Sequence, residues 1–319
     1  MSSDDRYVDF GWTGEKVSRV GLGIWQFSES WGVTDYNLAK SIIEAALDSG
    51  INFIDTAMVY GQGKSEEFLG RALKELGVRD EVFIATKIPG QFLARDDVFR
   101  AVENSLRRLQ VDVIDLMQVH WPPCWHNIPT CEYMRALEQL VHLGKIRYIG
   151  LSDFPVELVD AARNCLSTED ITSIQIRYNL VEREAEVELI PYALQNDLVV
   201  IPWSPLAKGA LTGKYTPDNL PQFQDVRASE PLFTRENMEE IMKVVEVLKK
   251  LSGKYGKTPA QVALRWLVDA YPNIIPIPGA KNPEQARDNA ATMGWKLDFG
   301  DWLELDRVSR RVRISRVTF

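Results

Sequence analysis

Short apolar runs alternate with amphipathic stretches along most of the chain. The amphipathic stretches repeat their apolar positions every three or four residues, which indicates helices. The apolar runs, which predict strands, lie at residues 19–23, 51–55, 82–86, 113–119, 146–151, 173–177, 198–202 and 273–277. The helical stretches lie at residues 64–76, 96–109, 131–143, 155–165, 236–251, 282–291 and 302–312, with a further helix starting at 258. Strands that alternate with helices in this way predict parallel βαβ units.

Three further signals refine this pattern. Residues 7–10 and 16–18 flank a turn with two glycines and predict a β-hairpin that plugs one end of the fold. Thr258, Pro259 and Gln261 have the types preferred at the N-cap, N1 and N3 positions of a helix. Residues 203–232 are rich in Pro, Gly, Asn and Asp and predict a long loop.

The polar residues that end four of the strands recur at a nearly constant spacing. Asp55, Lys87, His120 and Ser152 are separated by 32, 33 and 32 residues, the length of one strand–helix unit. Eight such units predict an α/β fold, a (β/α)8 TIM barrel with an N-terminal β-hairpin and extra C-terminal helices. At about 150 residues per domain the 319 residues suggest two domains, but the period assigns 1–319 to one barrel domain. The alternative, an open doubly wound sheet, would carry a glycine-rich turn that is missing here.

Charge and composition narrow the class of protein. The net charge is −8, which argues against a nucleic-acid partner. The chain has no clustered Lys and Arg, no secretory signal and no apolar run long enough to span a bilayer, so we expect a cytoplasmic protein without a membrane partner. Its three cysteines are too sparse for a disulfide framework and favour a reducing compartment. Whether it is a monomer or a small homo-oligomer stays open.

Four polar side chains fall where a barrel carries its active site. Asp55, Lys87 and His120 end successive strands, and Tyr60 follows the strand that ends at Asp55. The C-terminal strand ends of a (β/α)8 barrel meet at one face, so these groups should lie together. Buried charges are costly unless they are paired, so Asp55 and Lys87 are predicted to form an ion pair. The alternative is a purely structural pair beside a core Tyr and a capped His.

This combination of groups suits proton delivery to an oxygen. A free phenol has a pKa of about 10, and a nearby ammonium group is expected to lower the pKa of Tyr60 toward working pH. His120 is expected to polarise a carbonyl oxygen. An oxygen gains negative charge when its carbonyl is reduced by hydride, so the residues point to a carbonyl reductase.

At this point the chain resembles the aldo-keto reductase family over nearly its whole length. The matching motifs, in chain order, are VGLGIW at 20–25, FIDTA at 53–57 with YG at 60–61, IATK at 84–87, DLMQVHW at 115–121, GKIRYIGLS at 144–152, residues 175–179, and WSPLAKG at 203–209. The run SPLAKGALTGK at 204–214 is more similar to the bacterial and archaeal branch.

The resemblance implies roles for these residues. Tyr60 is the general acid for reduction and the base for oxidation, Lys87 paired with Asp55 lowers its pKa, and His120 orients the carbonyl. Ser152 and Gln175 hold the nicotinamide carboxamide, and Trp203 stacks on the nicotinamide ring. The loop that closes over the pyrophosphate contains Ser204, Leu206, Lys208 and Gly209, with Leu211 and Lys214 as lesser members.

The resemblance also implies a cofactor site, with NADP (as NADPH) favoured. Lys281 would meet the adenosine 2′-phosphate, with Gln285 and Asn289 toward the adenine. Two departures are Asp153 in place of the usual Asn, and Gln285 where an Arg often stands, which leaves the use of NAD open. The cofactor-binding set comprises Gly23, Trp25, Asp55, Ser152, Asp153, Gln175, Trp203, Ser204, Leu206, Lys208, Gly209, Lys214, Gly279, Lys281, Gln285 and Asn289.

The substrate is expected to be a small carbonyl compound. Trp25, Tyr60, His120 and Trp121 are predicted to line its pocket, and Phe27, Trp31, Trp125 and Trp203 are further aromatic candidates. No metal is expected, because three scattered histidines do not fit the alternative of a metal-dependent hydrolase. A second alternative is a cofactor-binding redox-sensing or regulatory subunit with little turnover.

Overall fold

The computed structural model describes residues 5–123 and 127–316. Its strands are β1 (Tyr7–Asp9), β2 (Lys16–Ser18), β3 (Leu22–Gly23), β4 (Phe53–Asp55), β5 (Phe83–Ile88), β6 (Ile114–Val119), β7 (Ile146–Ser152), β8 (Ile171–Arg177) and β9 (Val199–Trp203). Its helices are α1 (Tyr36–Asp48), α2 (Lys64–Leu76), α3 (Arg95–Leu109), α4 (Thr130–His142), α5 (Val156–Arg163), α6 (Leu189–Gln195), α7 (Arg235–Tyr255), α8 (Pro259–Ala270), α9 (Pro283–Ala290) and α10 (Phe299–Ser309).

The strands form the parallel barrel that the sequence predicts. Strands β3 to β9 are hydrogen-bonded in chain order. The predicted eighth strand, residues 273–277, closes the ring without regular ladders on both sides. It makes three backbone hydrogen bonds with β9, and the carbonyls of Pro276 and Pro278 accept from Gly21 and Gly23. Proline has no N–H to donate, so the segment is held by isolated bridges instead of a continuous strand.

The predicted hairpin plugs the N-terminal end of the barrel. Strands β1 and β2 pair antiparallel, with Val8 opposite Val17. Phe10, which follows β1, is fully buried and stacks on Phe53 and Phe83 at ring-centroid distances of 5.7 and 4.7 Å. These two rings lie at the first residues of β4 and β5, so the hairpin seals the end at which those strands begin.

The outer helices confirm most of the helical pattern, and two helices were missed. Helix α2 has the predicted bounds, and Thr258 and Gln261 form the reciprocal capping box expected at the start of α8. Helix α1 had no prediction, although its buried side chains Ala39, Ile42, Ile43 and Ala46 have helical spacing behind the N-cap Asp35. Helix α6 has only seven residues, too few for the periodicity to be visible.

The expectation about the cysteines is wrong for one pair. Cys131 in the first turn of α4 and Cys165 after α5 form a disulfide, with their Cα atoms 4.9 Å apart. The two residues are 34 positions apart, and only the packing of consecutive outer helices brings them together. Cys124 lies outside the described residues. No helix within residues 5–123 and 127–316 is long and apolar enough to cross a membrane.

Candidate active site

The ends of β4 and β5 bring two opposite charges together inside the barrel mouth. The Nζ atom of Lys87 donates to Oδ1 of Asp55 at 2.5 Å and to the carbonyl of Thr56 at 2.7 Å. The same ammonium lies 3.3 Å from the hydroxyl of Tyr60. Asp55 and Lys87 are both buried, so the ion pair expected from the sequence forms where water cannot solvate either charge.

Two amide side chains complete the surroundings of Asp55. Its Oδ2 atom accepts from Nε2 of Gln175 at 2.9 Å and from Nε2 of Gln118 at 3.1 Å. Gln118 was missed in the sequence, although it precedes His120 by two residues on the same strand and alternation places both on one face. Gln175, expected at the nicotinamide carboxamide, thus uses its amide N–H to hold Asp55.

The ionisation of Tyr60 differs from the expectation. Burial raises the pKa of its phenol above the ordinary value, and the Asp55 carboxylate adds to this, whereas the Lys87 ammonium opposes both. The predicted fall of the Tyr60 pKa toward neutrality is therefore wrong for this structure. Burial also disfavours the charged form of Lys87, yet the Asp55 carboxylate keeps the pKa of Lys87 above its usual range. Tyr60 is thus a neutral phenol beside a permanent cation.

His120 lies against the same phenol. Its ring centroid is 5.6 Å from that of Tyr60, with the planes nearly perpendicular. Burial, assisted by the positive charge of Lys87, lowers the pKa of His120 well below its usual value. Its Nδ1 atom is buried and has no hydrogen-bond partner among the described residues. A neutral imidazole with an unpaired nitrogen is suited to meet a polar ligand atom.

These groups open into a cavity of about 720 Å³ at the mouth of the barrel. All residues of the predicted cofactor-binding set lie on its wall, as do the four residues predicted to line the substrate pocket. Of the four predicted catalytic residues, Lys87 is not on the wall, because it is buried behind Tyr60 and reaches the cavity through that hydroxyl. Residues on the wall that were missed include Gln26, Val59, Pro205, Thr212, Tyr215, Arg227, Thr258, Ala260 and Asp288.

Aromatic rings surround the end of this cavity that holds Tyr60 and His120. Trp25 stacks on Tyr60 at a centroid distance of 6.0 Å, and Trp121 lies 4.3 Å from His120. Trp31 and Trp203 also lie on the wall. Phe27 does not, because it is buried in the apolar core beneath the loop after β3. Trp125 lies outside the described residues.

The long loop after β9 folds back along the cavity, and two of its carboxylates pair with lysines on the cavity wall. Lys208, predicted at the pyrophosphate, forms an ion pair with Glu230. Lys281, predicted at the 2′-phosphate, donates to Asp225 at 3.1 Å. These carboxylates were not foreseen, because the sequence shows a Pro- and Gly-rich loop but not which part of it folds back. The backbone N–H of Val226 donates to the carbonyl of Ser30 at 3.3 Å and ties the loop to the loop that follows β3.

The residues at the far end of the cavity hold one another in place. Gln285 accepts from the backbone N–H of Lys281 at 2.8 Å, and Asn289 donates to the carbonyl of Gly279 at 3.1 Å. A Cβ atom at residue 279 would lie 2.1 Å from the amide end of the Gln26 side chain, which would have to move to make room for it. These bonds fix the segment from Gly279 to the first turn of helix α9, where the Asn282 side chain accepts from the N–H of Gln285.

Asp153, the departure noted in the sequence, has a partner in the structure. Its Oδ1 atom accepts from the indole Nε1 of Trp203 at 3.0 Å. Burial raises the pKa of Asp153, whereas the Trp203 hydrogen bond and the charges of Lys87 and Arg177 oppose this. Asp153 and Trp203 therefore form one unit on the wall.

The part of the chain that the structure describes contains no cluster of side chains suited to bind a metal ion. No group of three or more His, Cys, Asp or Glu side chains there is arranged to hold a metal ion. The site instead offers a phenol, an ammonium group and an imidazole.

Comparison with known proteins identifies the class. The model of the Aldo/keto reductase family matches residues 19–310, so the chain belongs to this family of oxidoreductases. Aldo-keto reductase YhdN of Bacillus subtilis is 38% identical over 312 residues, covering 95% of this chain and 93% of that protein.

Solved structures share the whole fold. The glycerol dehydrogenase AKR11B4 of Gluconobacter oxydans superposes with a TM-score of 0.88 at 34% identity, covering 100% of this chain and 99% of that one. An aldo-keto reductase of Klebsiella pneumoniae in complex with NADPH has a TM-score of 0.80 at 29% identity, covering 99% and 100%.

Proposed function

We propose that the protein is an NADP(H)-dependent reductase of aldehydes and ketones, with Tyr60 as the general acid. The observation that carries the proposal is the contact of the neutral Tyr60 phenol with the Lys87 ammonium at 3.3 Å, at the base of an aromatic cavity. A proton donor next to a fixed cation is what a developing alkoxide requires.

The cavity suits a dinucleotide cofactor. Its volume of about 720 Å³ lies in the range of cofactor and ligand sites. Lys208, Lys214, Arg227 and Lys281 on its wall supply positive charge for phosphate groups, and Gly23 and Gly279 allow close approach of a ligand to the backbone. The Klebsiella relative is bound to NADPH, which favours NADP here, and Gln285 in place of an Arg leaves NAD use to be measured.

In this mechanism the bound cofactor supplies a hydride to the carbonyl carbon. As the carbon–oxygen π bond breaks, the proton on Oη of Tyr60 passes to the oxygen, which leaves an alcohol and a phenolate. Lys87 stabilises that phenolate at 3.3 Å, and Asp55 balances the charge of Lys87. Solvent then returns a proton to Tyr60. In the oxidation of an alcohol the phenolate takes the proton back.

His120 and the tryptophans position the carbonyl compound. Because its pKa is lowered, His120 is neutral at physiological pH and offers a ring N–H to the carbonyl oxygen without a competing positive charge. Trp25 and Trp121 flank Tyr60 and His120 with apolar surface. Small apolar or aromatic carbonyl compounds are therefore the proposed substrates.

The test is a panel of aldehydes and ketones with NADPH and with NADH, followed by the loss of absorbance of the reduced nicotinamide. We expect turnover of several substrates and a higher kcat/KM with NADPH. Tight cofactor binding with negligible turnover of every substrate would instead favour a redox-sensing or regulatory subunit.

A further inference from the structure

Asp153 occupies a special backbone position at the mouth of the barrel. It follows the last residue of β7, and its N–H donates to the carbonyl of Gln175 at 3.0 Å. Its φ angle is +54°, in the left-handed region that Asp and Asn enter more readily than most residues. This conformation places a carboxylate on the cavity wall, beside the strand end that carries Ser152.

The charge of Asp153 has no ionic partner among the described residues. Its hydrogen bond from Trp203 comes from a neutral indole N–H. Arg177, whose guanidinium lies 5.3 Å from the Trp203 ring, is already paired with Glu182 at 2.8 Å and Glu230 at 2.9 Å.

Three other carboxylates at the site are paired with cations. Asp55 pairs with Lys87, Asp225 with Lys281, and Glu230 with Lys208 and Arg177. Asp288, on helix α9 at the far end of the cavity, accepts hydrogen bonds from the neutral side chains of Thr258 and Gln261. Among the described residues at the Tyr60 end of the cavity, Asp153 is therefore a source of uncompensated negative charge on the wall.

This carboxylate shares one end of the cavity with the reacting atoms. Its charge reaches Tyr60, whose pKa it helps to raise, although burial is the largest cause of that rise. Tyr60 protonates the oxygen on the carbon that receives the hydride, so the hydride donor must be in contact with the same carbon. A nicotinamide ring is neutral when reduced and carries one positive charge when oxidised.

We infer that Asp153 is a specificity-determining residue for the oxidation state of the cofactor, because its carboxylate stabilises the oxidised, cationic form relative to the reduced form. The inference rests on the proposed function, since it requires a nicotinamide in this cavity. At a carboxylate–ring separation of about 5 Å and with water present in the cavity, such a charge would change the ratio of the two dissociation constants by about 3- to 10-fold. Asp153 thereby increases the share of the protein that holds NADP+ when both forms of the cofactor are present.

The experiment compares the full-length wild type with Asp153→Asn. The amide keeps the size, tolerates the positive φ and still accepts from the Trp203 N–H. It loses the charge and gains an NH2 donor. A new hydrogen bond from that donor would strengthen both cofactor forms, so the ratio of the two dissociation constants reports the charge. Isothermal titration calorimetry at pH 8 gives the dissociation constants for NADP+ and NADPH. We expect the ratio Kd(NADPH)/Kd(NADP+) to fall about 3- to 10-fold in the variant. A ratio that stays the same, including equal weakening of both forms, would overturn the inference.

A matched control separates the charge from the hydrogen bond. Trp203→Phe removes the N–H donor and keeps both an aromatic ring and the Asp153 carboxylate. Its two dissociation constants are expected to rise together, with the ratio remaining near that of the wild type. A change in the ratio as large as in Asp153→Asn would show that the bond matters and overturn the inference. Binding of neither cofactor form by the wild type would overturn the proposed function itself.

Discussion

At the N-terminal end of the barrel, β4 and β5 begin with the stacked rings of Phe53 and Phe83. Two residues after Phe53 and four residues after Phe83, the same strands present the buried ion pair of Asp55 and Lys87. One end is closed by the apolar hairpin residue Phe10, and the other opens into the cavity. The contrast divides the barrel into an end that stabilises the fold and an end where charge is held for chemistry.

The largest expected effect lies at the open end. Tyr60→Phe removes the proposed proton donor and leaves the ring stacked near Trp25, so kcat for carbonyl reduction should fall by about 1,000-fold. Cofactor affinity and the free energy of unfolding should change little. Steady-state kinetics, calorimetry and urea unfolding give the three values. Turnover within tenfold of the wild type would rule out Tyr60 as the acid.

The next effect lies at the closed end and should affect stability alone. Phe10→Ala leaves a cavity against Phe53 and Phe83 and should lower the free energy of unfolding by about 3 kcal/mol. Urea unfolding measures it, with kcat/KM unchanged at temperatures where the variant is folded. Trp12→Ala is the control, because Trp12 is 50% exposed in the same hairpin and should cost much less. A large change in kcat/KM in Phe10→Ala would contradict the division between the ends.

The pH dependence should distinguish the two directions of the reaction. Burial raises the pKa of Tyr60 above that of a free phenol, so the phenol is protonated and ready to donate throughout the neutral range. Since the pKa of His120 is well below 6.5, this residue is also unchanged there. The rate of reduction should therefore be flat from about pH 7 to 9, if the chemical step limits it.

The oxidation of an alcohol requires the phenolate of Tyr60. Its population rises about tenfold per pH unit below the pKa, so the oxidation rate should keep rising toward pH 10. Stopped-flow traces at constant ionic strength measure both directions. An oxidation rate that levels off near pH 7 would show a Tyr60 pKa that is lowered instead of raised.

The smallest effect concerns the surface of the hairpin. Lys16 and Asp9 form an ion pair at 2.5 Å, with 68% and 58% of their side chains exposed. Lys16→Met should change the free energy of unfolding by about 0.5 kcal/mol or less, because water screens exposed pairs. A loss as large as that in Phe10→Ala would mean that charge, not apolar packing, holds the plug.

The sequence predicts features that depend on local spacing. Asp55, Lys87, His120 and Ser152 each lie within one residue of a strand end. These strand ends were identifiable because the strand–helix units repeat at a nearly constant length and carry polar residues there. The resemblance to a known family supplied the predicted cofactor-binding residues, and all of them line the cavity at the barrel mouth.

What the sequence did not predict depends on contacts between distant segments. The disulfide of Cys131 and Cys165 requires neighbouring outer helices, and the pairing of Lys281 with Asp225 requires the long loop to cross the cavity. The raised pKa of Tyr60 depends on the depth of burial, which no spacing reveals. Gln118 is different, because alternation along β6 would have shown that it faces the same way as His120.

The segment at 273–279 joins β3 through acceptors alone, since Pro276 and Pro278 have no hydrogen to give and only Gly21 and Gly23 donate. We therefore expect the barrel to open most easily along this contact, which hydrogen–deuterium exchange would detect as fast exchange of its amide hydrogens. Gly23 of β3 and Gly279 of the 273–279 segment lie opposite each other at this contact, and both line the cavity. A molecule bound there would contact both segments and hold them together. Slower exchange at Gly21 and Gly23 would therefore report occupancy of the cavity without any catalytic turnover.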